Sequence, residues 1–141
     1  MKERGEINIA IANYLENNFD DYTNLNRNDG NQVQNLDEIK HIIIGRWYYG
    51  LYLIAKDKLK KQYVSHIGHF SNKKKKIIYG IWERINKKAK IKGINYDFEK
   101  NGMDLFKLRN KYEYYGINVI DNDFNTAKKI YEDMYNELQK L

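Results

Sequence analysis

Residues 42–55 read IIIGRWYYGLYLIA, and among these fourteen positions Arg46 carries the single charge. Isoleucine, tryptophan, tyrosine and leucine fall on every side of a helical turn, so a helix here is apolar all round. It must be covered by several neighbours or by lipid. Lipid is set aside, because fourteen residues fall short of the roughly 20 that span a bilayer and lysines follow at once. The segment therefore reads as the central helix of a soluble bundle. Arg46 becomes a charge inside that bundle or at its lip. A buried charge is costly unless paired, so Arg46 needs a structural partner or a task.

The rest of the chain agrees with helix. Its 141 residues contain no proline, the strongest helix breaker, and apolar positions recur at three and four residues rather than two. The expected fold is all-α, a four-helix up-and-down bundle with an additional short N-terminal helix, in one domain covering residues 1–141. That length buries roughly two-thirds of the unfolded surface. With no cysteine, neither disulfides nor a thiolate metal site can form. The first residues, MKERGEINIA, do not resemble a signal peptide, and the expected location is cytoplasmic, away from membranes.

In chain order, residues 7–19 form the short helix, with Ile7, Ile11, Tyr14, Leu15 and Phe19 as its apolar side. Residues 17–35 hold seven asparagines and Gly30 without periodicity. They read as a long polar loop, functional or mobile, between which composition does not choose. Asn35 is placed to cap the next helix, with Asp37 and Glu38 in its first turn, and that helix is expected to reach Tyr63. SHIGHFSN at 65–72 is a turn. A third helix over 73–92 presents Ile78, Ile81, Trp82, Ile85 and Ala89, and Gly93 ends it. A fourth over 104–115 presents Leu105, Leu108, Tyr112 and Tyr115, with Gly116 as its stop. The last starts near Asp123 and carries Phe124, Ala127, Tyr131, Met134, Leu138 and Leu141, the clearest periodic signal in the chain.

The net charge of +6 hides an asymmetry. Residues 56–92 hold thirteen lysines and arginines against two acids, a balance of +11, while the remainder sums to −5. A basic block on a mildly acidic body suits a polyanion, either nucleic acid or a protein's acidic face; the plain alternative is a solvated lysine-rich surface. Lys73, Lys74, Lys75 and Lys76 open the third helix, against its dipole, which fits an anion partner or a frayed first turn.

Few constellations carry chemistry. Arg109 and Glu113 share a helix face at i,i+4, with Tyr114 offset by one position. By spacing alone they are an ordinary ion pair, worth about 0.3–0.5 kcal/mol when exposed. His66 and His69 flank Gly68, but a usable zinc site needs a third protein ligand, and no metal or cofactor is expected. His41, five residues before Arg46, reads as a polar entry to the apolar segment. No phosphate-binding glycine loop or serine–histidine elbow is present. Thirteen tyrosines belong mostly to core and rim, although a tyrosine beside an arginine can stack on an unpaired base.

Two stretches together resemble a family. Arg46-Trp47-Tyr48-Tyr49-Gly50-Leu51-Tyr52, followed by Ala55-Lys56-Asp57-Lys58-Leu59, is similar to the R-x-Y-Y-A-x-F…A-K-x-L helix of HEPN domains, small helical bundles. Leu105-Phe106-Lys107-Leu108-Arg109-Asn110-Lys111-Tyr112-Glu113-Tyr114 resembles the L-x-x-L-R-x-x-A-D-Y segment of the same branch. Ser65-His66-Ile67-Gly68 sits where that branch often has a Ser-His-x-Gly turn. The resemblance covers residues 36–141 and rests on the order and separation of the motifs. It implies a four-helix up-and-down bundle that commonly dimerises. It also implies a setting in toxin–antitoxin, phage-defence or CRISPR-linked modules, often with a minimal nucleotidyltransferase as the antitoxin partner.

Catalytic members of that family are metal-independent ribonucleases that use an arginine and a histidine four to six residues later. One group moves protons as the ribose 2′-hydroxyl attacks phosphorus, and a fixed cation stabilises the phosphorane. Arg109 matches the arginine, but positions 113–115 are Glu, Tyr and Tyr, so the titrating partner is missing unless His66 or His41 supplies it. The expectation is RNA or nucleotide binding, with cleavage as an extension. Arg109, Glu113 and Tyr114 are the catalytic candidates; Arg46, Tyr49, Lys73, Lys74, Lys75 and Lys76 are the nucleic-acid contacts. The alternative is a non-catalytic interaction module that docks a partner such as a cognate nucleotidyltransferase.

Overall fold

The structure is a computed structural model that describes residues 1–22, 25–59, 69–70 and 80–141. Among them the chain is all-α. Five helices form: α1 (Lys2–Asn17), α2 (Lys40–Leu59), α3 (Ile81–Ile91), α4 (Phe98–Tyr114) and α5 (Asp121–Gln139). Two 3-10 turns, at Phe19–Tyr22 and Leu36–Glu38, precede α2. The apolar stretch falls inside α2, which touches all four other helices. That is what a helix with no polar side requires. Trp47, Tyr48, Leu51 and Ile54 are fully enclosed, and truncating an aromatic so placed costs about 3–5 kcal/mol. No helix of the described residues is long and apolar enough to cross a membrane.

The stripes expected in α3 and α5 hold. Ile81, Trp82, Ile85 and Ala89 are buried, as are Phe124, Ala127, Tyr131, Met134 and Leu138. Gly93, at φ +72°, closes α3 as expected; Ile94 N–H donates to the Ala89 carbonyl at 2.9 Å and Gly93 N–H to that of Lys90 at 3.1 Å. Gly116, at φ +63°, follows α4, where a stop was expected.

α4 begins at Phe98, six residues before the expected start, with the Asp97 carboxylate accepting from Lys100 N–H at 2.9 Å. Gly102 conceals the extra turns in the sequence, because a glycine ordinarily weakens a helix. Here it admits the Trp82 indole, since a Cβ at Gly102 would lie 2.6 Å from Trp82 Cγ. Tyr115, expected on the buried stripe, lies past the helix end and is exposed.

α1 is longer than expected, and of its expected apolar side only Leu15 and Phe19, the latter just past the helix end, pack against the core. It buries Gly5, Asn8, Ile9 and Ala12, and leaves Ile7, Ile11 and Tyr14 facing out. Close approach to α2 explains the choice. A Cβ on Gly5 would sit 2.7 Å from the Gly50 carbonyl oxygen, and one on Gly50 would sit 2.7 Å from Ile9 Cγ1. Small residues let the two backbones touch, so the small face wins over the bulkier one.

The polar stretch before α2 carries its own bonds. Val33 N–H donates to the Leu25 carbonyl at 2.9 Å, Arg27 pairs with Asp29, and Gly30 turns the chain at φ +87°. Asn35 makes no side-chain cap; the Glu38 carboxylate instead accepts from Gln34 N–H at 3.2 Å. Lys40, buried at the start of α2, meets Asp37 at 2.7 Å and Asp121 at 2.9 Å. Burial alone would lower its ammonium, but the two carboxylates outweigh it and raise the pKa. Several expectations lie outside the described residues: α2 beyond Leu59, the start of the third helix before residue 80, His66, Ile78, and Lys73, Lys74, Lys75 and Lys76.

Candidate functional site

One strip of α2 is left uncovered. His41, Ile42, Gly45, Arg46 and Tyr49 recur at helical spacing and line an open cleft of about 450 Å³. α1 contributes Asn8 to one wall; α4 contributes Arg109 and Glu113 to the other. The sequence-predicted residues Arg46, Tyr49, Arg109 and Glu113, drawn from two helices, therefore meet in one place. Tyr114 does not join them. It is the last residue of α4 and 71% exposed, because one residue along a helix turns a side chain away from its neighbour's face.

Arg46 resolves the question posed by its charge: it sits at the lip, exposed, and needs no burial partner. Its Nη1 donates to Asn8 Oδ1 at 2.8 Å, while Asn8 Nδ2 is tied to the Arg4 carbonyl, also at 2.8 Å. Asn8 thus aims the guanidinium without neutralising it. Among the described residues no carboxylate pairs with Arg46.

Arg109 is the better-held cation. Its Nε donates to Glu113 Oε2 at 2.8 Å, and the side chain retains 22% exposure against 42% for the glutamate. The guanidinium carbon stands 5.4 Å from the centre of the Tyr48 ring, a cation–π contact. The pair fixes one edge of the guanidinium. Its Nη groups make no hydrogen bond among the described residues, which leaves the edge suited to a bidentate anion open. Two arginines against one carboxylate give the cleft a positive balance.

Beneath Arg109 lies a polar knot that the sequence did not announce. Trp82 Nε1 donates to the Tyr48 hydroxyl at 3.1 Å, and that hydroxyl stands 2.5 Å from His69 Nδ1. Indole is donor-only, so the arrangement that uses every proton has Tyr48 donate to Nδ1 and places the imidazole proton on Nε2. Burial, with the Arg109 charge second, lowers the His69 pKa to about 4. Burial pushes the Tyr48 phenol up. His69 also stacks on Tyr52 at 4.4 Å, and Tyr52 on Tyr49 at 6.2 Å. The exposed cleft tyrosine is therefore the outermost ring of a stack that runs into the protein.

His41, named above as a stand-in for the missing titrating partner, lines the cleft, and so does Asn8, which was not singled out for it. His41 carried a signal, its spacing of four and eight residues from Gly45 and Tyr49; Asn8 carried none, being on another helix. A second cleft of about 560 Å³ shares His41, Ile42 and Glu113 as walls and continues toward Arg27 and Gly116. Among the described residues no three His, Asp or Glu side chains gather as a metal-binding group. Compared with known protein families, curated proteins and solved structures, the chain matches none.

Proposed function

We propose that this chain is a HEPN-like protein that binds RNA or a nucleotide in the α1–α2–α4 cleft, within a toxin–antitoxin, phage-defence or CRISPR-linked module. The observation that supports it is the convergence of Arg46 and Arg109 with the exposed ring of Tyr49 on one open cleft. Cations for phosphate beside an aromatic face are the two elements of single-strand recognition. Lys73, Lys74, Lys75 and Lys76 belong to the same reading as electrostatic footing. So do a homodimer, a cytoplasmic location and the four-helix up-and-down arrangement of α2–α5 with α1 added.

Cleavage extends this reading. Arg109 would stabilise charge on the phosphorane, with Glu113 or His41 as the proton-transfer group at the cleft in place of the absent downstream histidine. Such cleavage is insensitive to chelator. The test is titration of a dye-labelled oligoribonucleotide against the wild type, Arg46→Ala and Arg109→Ala. Each substitution is expected to weaken binding about 10–100-fold, the worth of a charge-assisted hydrogen bond, with helical circular dichroism intact. Affinity should also fall steeply with salt. Unchanged affinity in both variants overturns the reading.

One observation favours a second reading, the non-catalytic module that docks an acidic partner such as a minimal nucleotidyltransferase. Arg109 already holds a carboxylate, as a structural ion pair would. Under that reading the arginine variants lose partner binding and leave RNA affinity absent throughout.

A further inference from the structure

Among the described residues four glycines lie inside helices, and three of them have a reason within the chain. Gly5 and Gly50 allow α1 against α2, and Gly102 accommodates Trp82. Gly45 is different. A Cβ built there meets no heavy atom within 4 Å among the described residues outside its immediate chain neighbours and its helix's own backbone. Nothing described in the fold uses the missing side chain, although glycine weakens the middle of a helix. Gly45 is at the same time part of the cleft, one residue before Arg46 and four before Tyr49. A bare stretch of helix backbone there leaves room for something flat to lie close against α2.

We propose that Gly45 is the floor of a nucleobase subsite. A single base of a bound RNA strand lies over the α2 backbone at Gly45, between Ile42 and the Tyr49 ring, while its phosphates take Arg46 and Arg109. This deepens the RNA-binding reading and rests on it. The chemistry is consistent at each wall. Tyr49 is 43% exposed and Ile42 is 42% exposed, so both offer apolar surface that a base would cover. Tyr49 is braced from behind by Tyr52 and His69, which holds the ring ready for stacking. Stacking accepts any base, so the subsite selects unpaired strands rather than a sequence. A Cβ at position 45 would enter this space without meeting Arg109.

The test separates the base from the phosphates. Wild type, Gly45→Ala, Gly45→Leu and Tyr49→Ala are titrated with a dye-labelled oligoadenylate and with an abasic ribose-phosphate oligomer of equal length. The expected result is that all variants fold and keep wild-type affinity for the abasic oligomer. Affinity for oligoadenylate falls progressively from alanine to leucine at position 45, by about tenfold for leucine and for Tyr49→Ala, the order of one lost base stack. Combining Gly45→Leu with Tyr49→Ala then adds little, because both remove the same subsite. Equal loss for both oligomers, or no loss for either, overturns the subsite. So does a change of sedimentation from dimer to monomer in Gly45→Leu with oligoadenylate affinity unchanged, since that makes Gly45 a contact between copies. If the wild type binds the two oligomers equally, only the subsite fails; if it binds neither, the RNA-binding reading fails with it.

Discussion

α2 has two flanks built on opposite plans. Along one, Gly5 of α1 and Gly50 face each other with no side chain between them, and the helices close. Along the other, Gly45 faces the space between α1 and α4, and the helices stand apart around Asn8, Arg46 and Arg109. The same residue type thus serves a sealed contact and an open one. What separates them is the second helix: α1 brings its own glycine to the seam, whereas α4 brings an arginine held out by Glu113. A glycine in a helix is therefore informative only together with what stands opposite it.

The sealed flank should break most easily. Gly50→Ala places a Cβ 2.7 Å from Ile9 Cγ1 and 2.9 Å from the Gly5 carbonyl oxygen. The isoleucine can turn away, but the carbonyl moves only if α1 moves, so urea denaturation should show a loss of about 1–3 kcal/mol. An unchanged midpoint would remove the contrast between the flanks.

Acid comes next and tests the floor of the open flank. His69 falls from its ordinary 6.5 to about 4 in the folded protein. The unfolded chain therefore takes up this proton first, and stability present above pH 6.5 is lost as the pH falls toward 4. Allowing for the solvent that still reaches the ring, the loss is on the order of 1–2 kcal/mol. Denaturation curves across that range should flatten for His69→Gln; an equal slope in the variant would remove His69 as the cause.

Smaller still, Gly45→Ala should stabilise by about 0.5–1 kcal/mol, the difference in helix propensity, giving the opposite sign to Gly50→Ala from the same chemical change. Smallest of all, Glu113→Gln should alter stability by no more than about 0.5 kcal/mol, because the pair with Arg109 is partly solvated. A larger loss would mean that the ion pair holds α4 in place.

The legible parts of the fold were those where bulk and burial coincide. Ile81, Trp82, Ile85 and Ala89, and Phe124 through Leu138, were readable because large apolar side chains face the core at regular spacing. α1 was misread for the converse reason: of its buried residues Gly5, Asn8 and Ala12 are small or polar and Ile9 alone is bulky, while Ile7, Ile11 and Tyr14 look outward. The start of α4 was hidden by a glycine whose purpose lies on another helix. At the site, Arg46 and Tyr49 share a helical face, and so do Arg109 and Glu113, so each pair was visible locally. Their meeting depends on how α2 and α4 are set, which spacing does not encode. Asn8, 38 residues from Arg46 in the chain, had no local signal at all.

The two tryptophans divide between the two flanks. Trp47 stacks on Tyr131 at 4.9 Å and donates to Asn13 Oδ1 at 3.0 Å, beside α1 and α5. Trp82 donates to the hydroxyl of Tyr48, the ring over which Arg109 rests. With Trp47 replaced by phenylalanine, the remaining indole becomes an intrinsic reporter for events at the guanidinium. An anion that draws Arg109 off the Tyr48 ring should then be visible in the emission spectrum of the unlabelled protein.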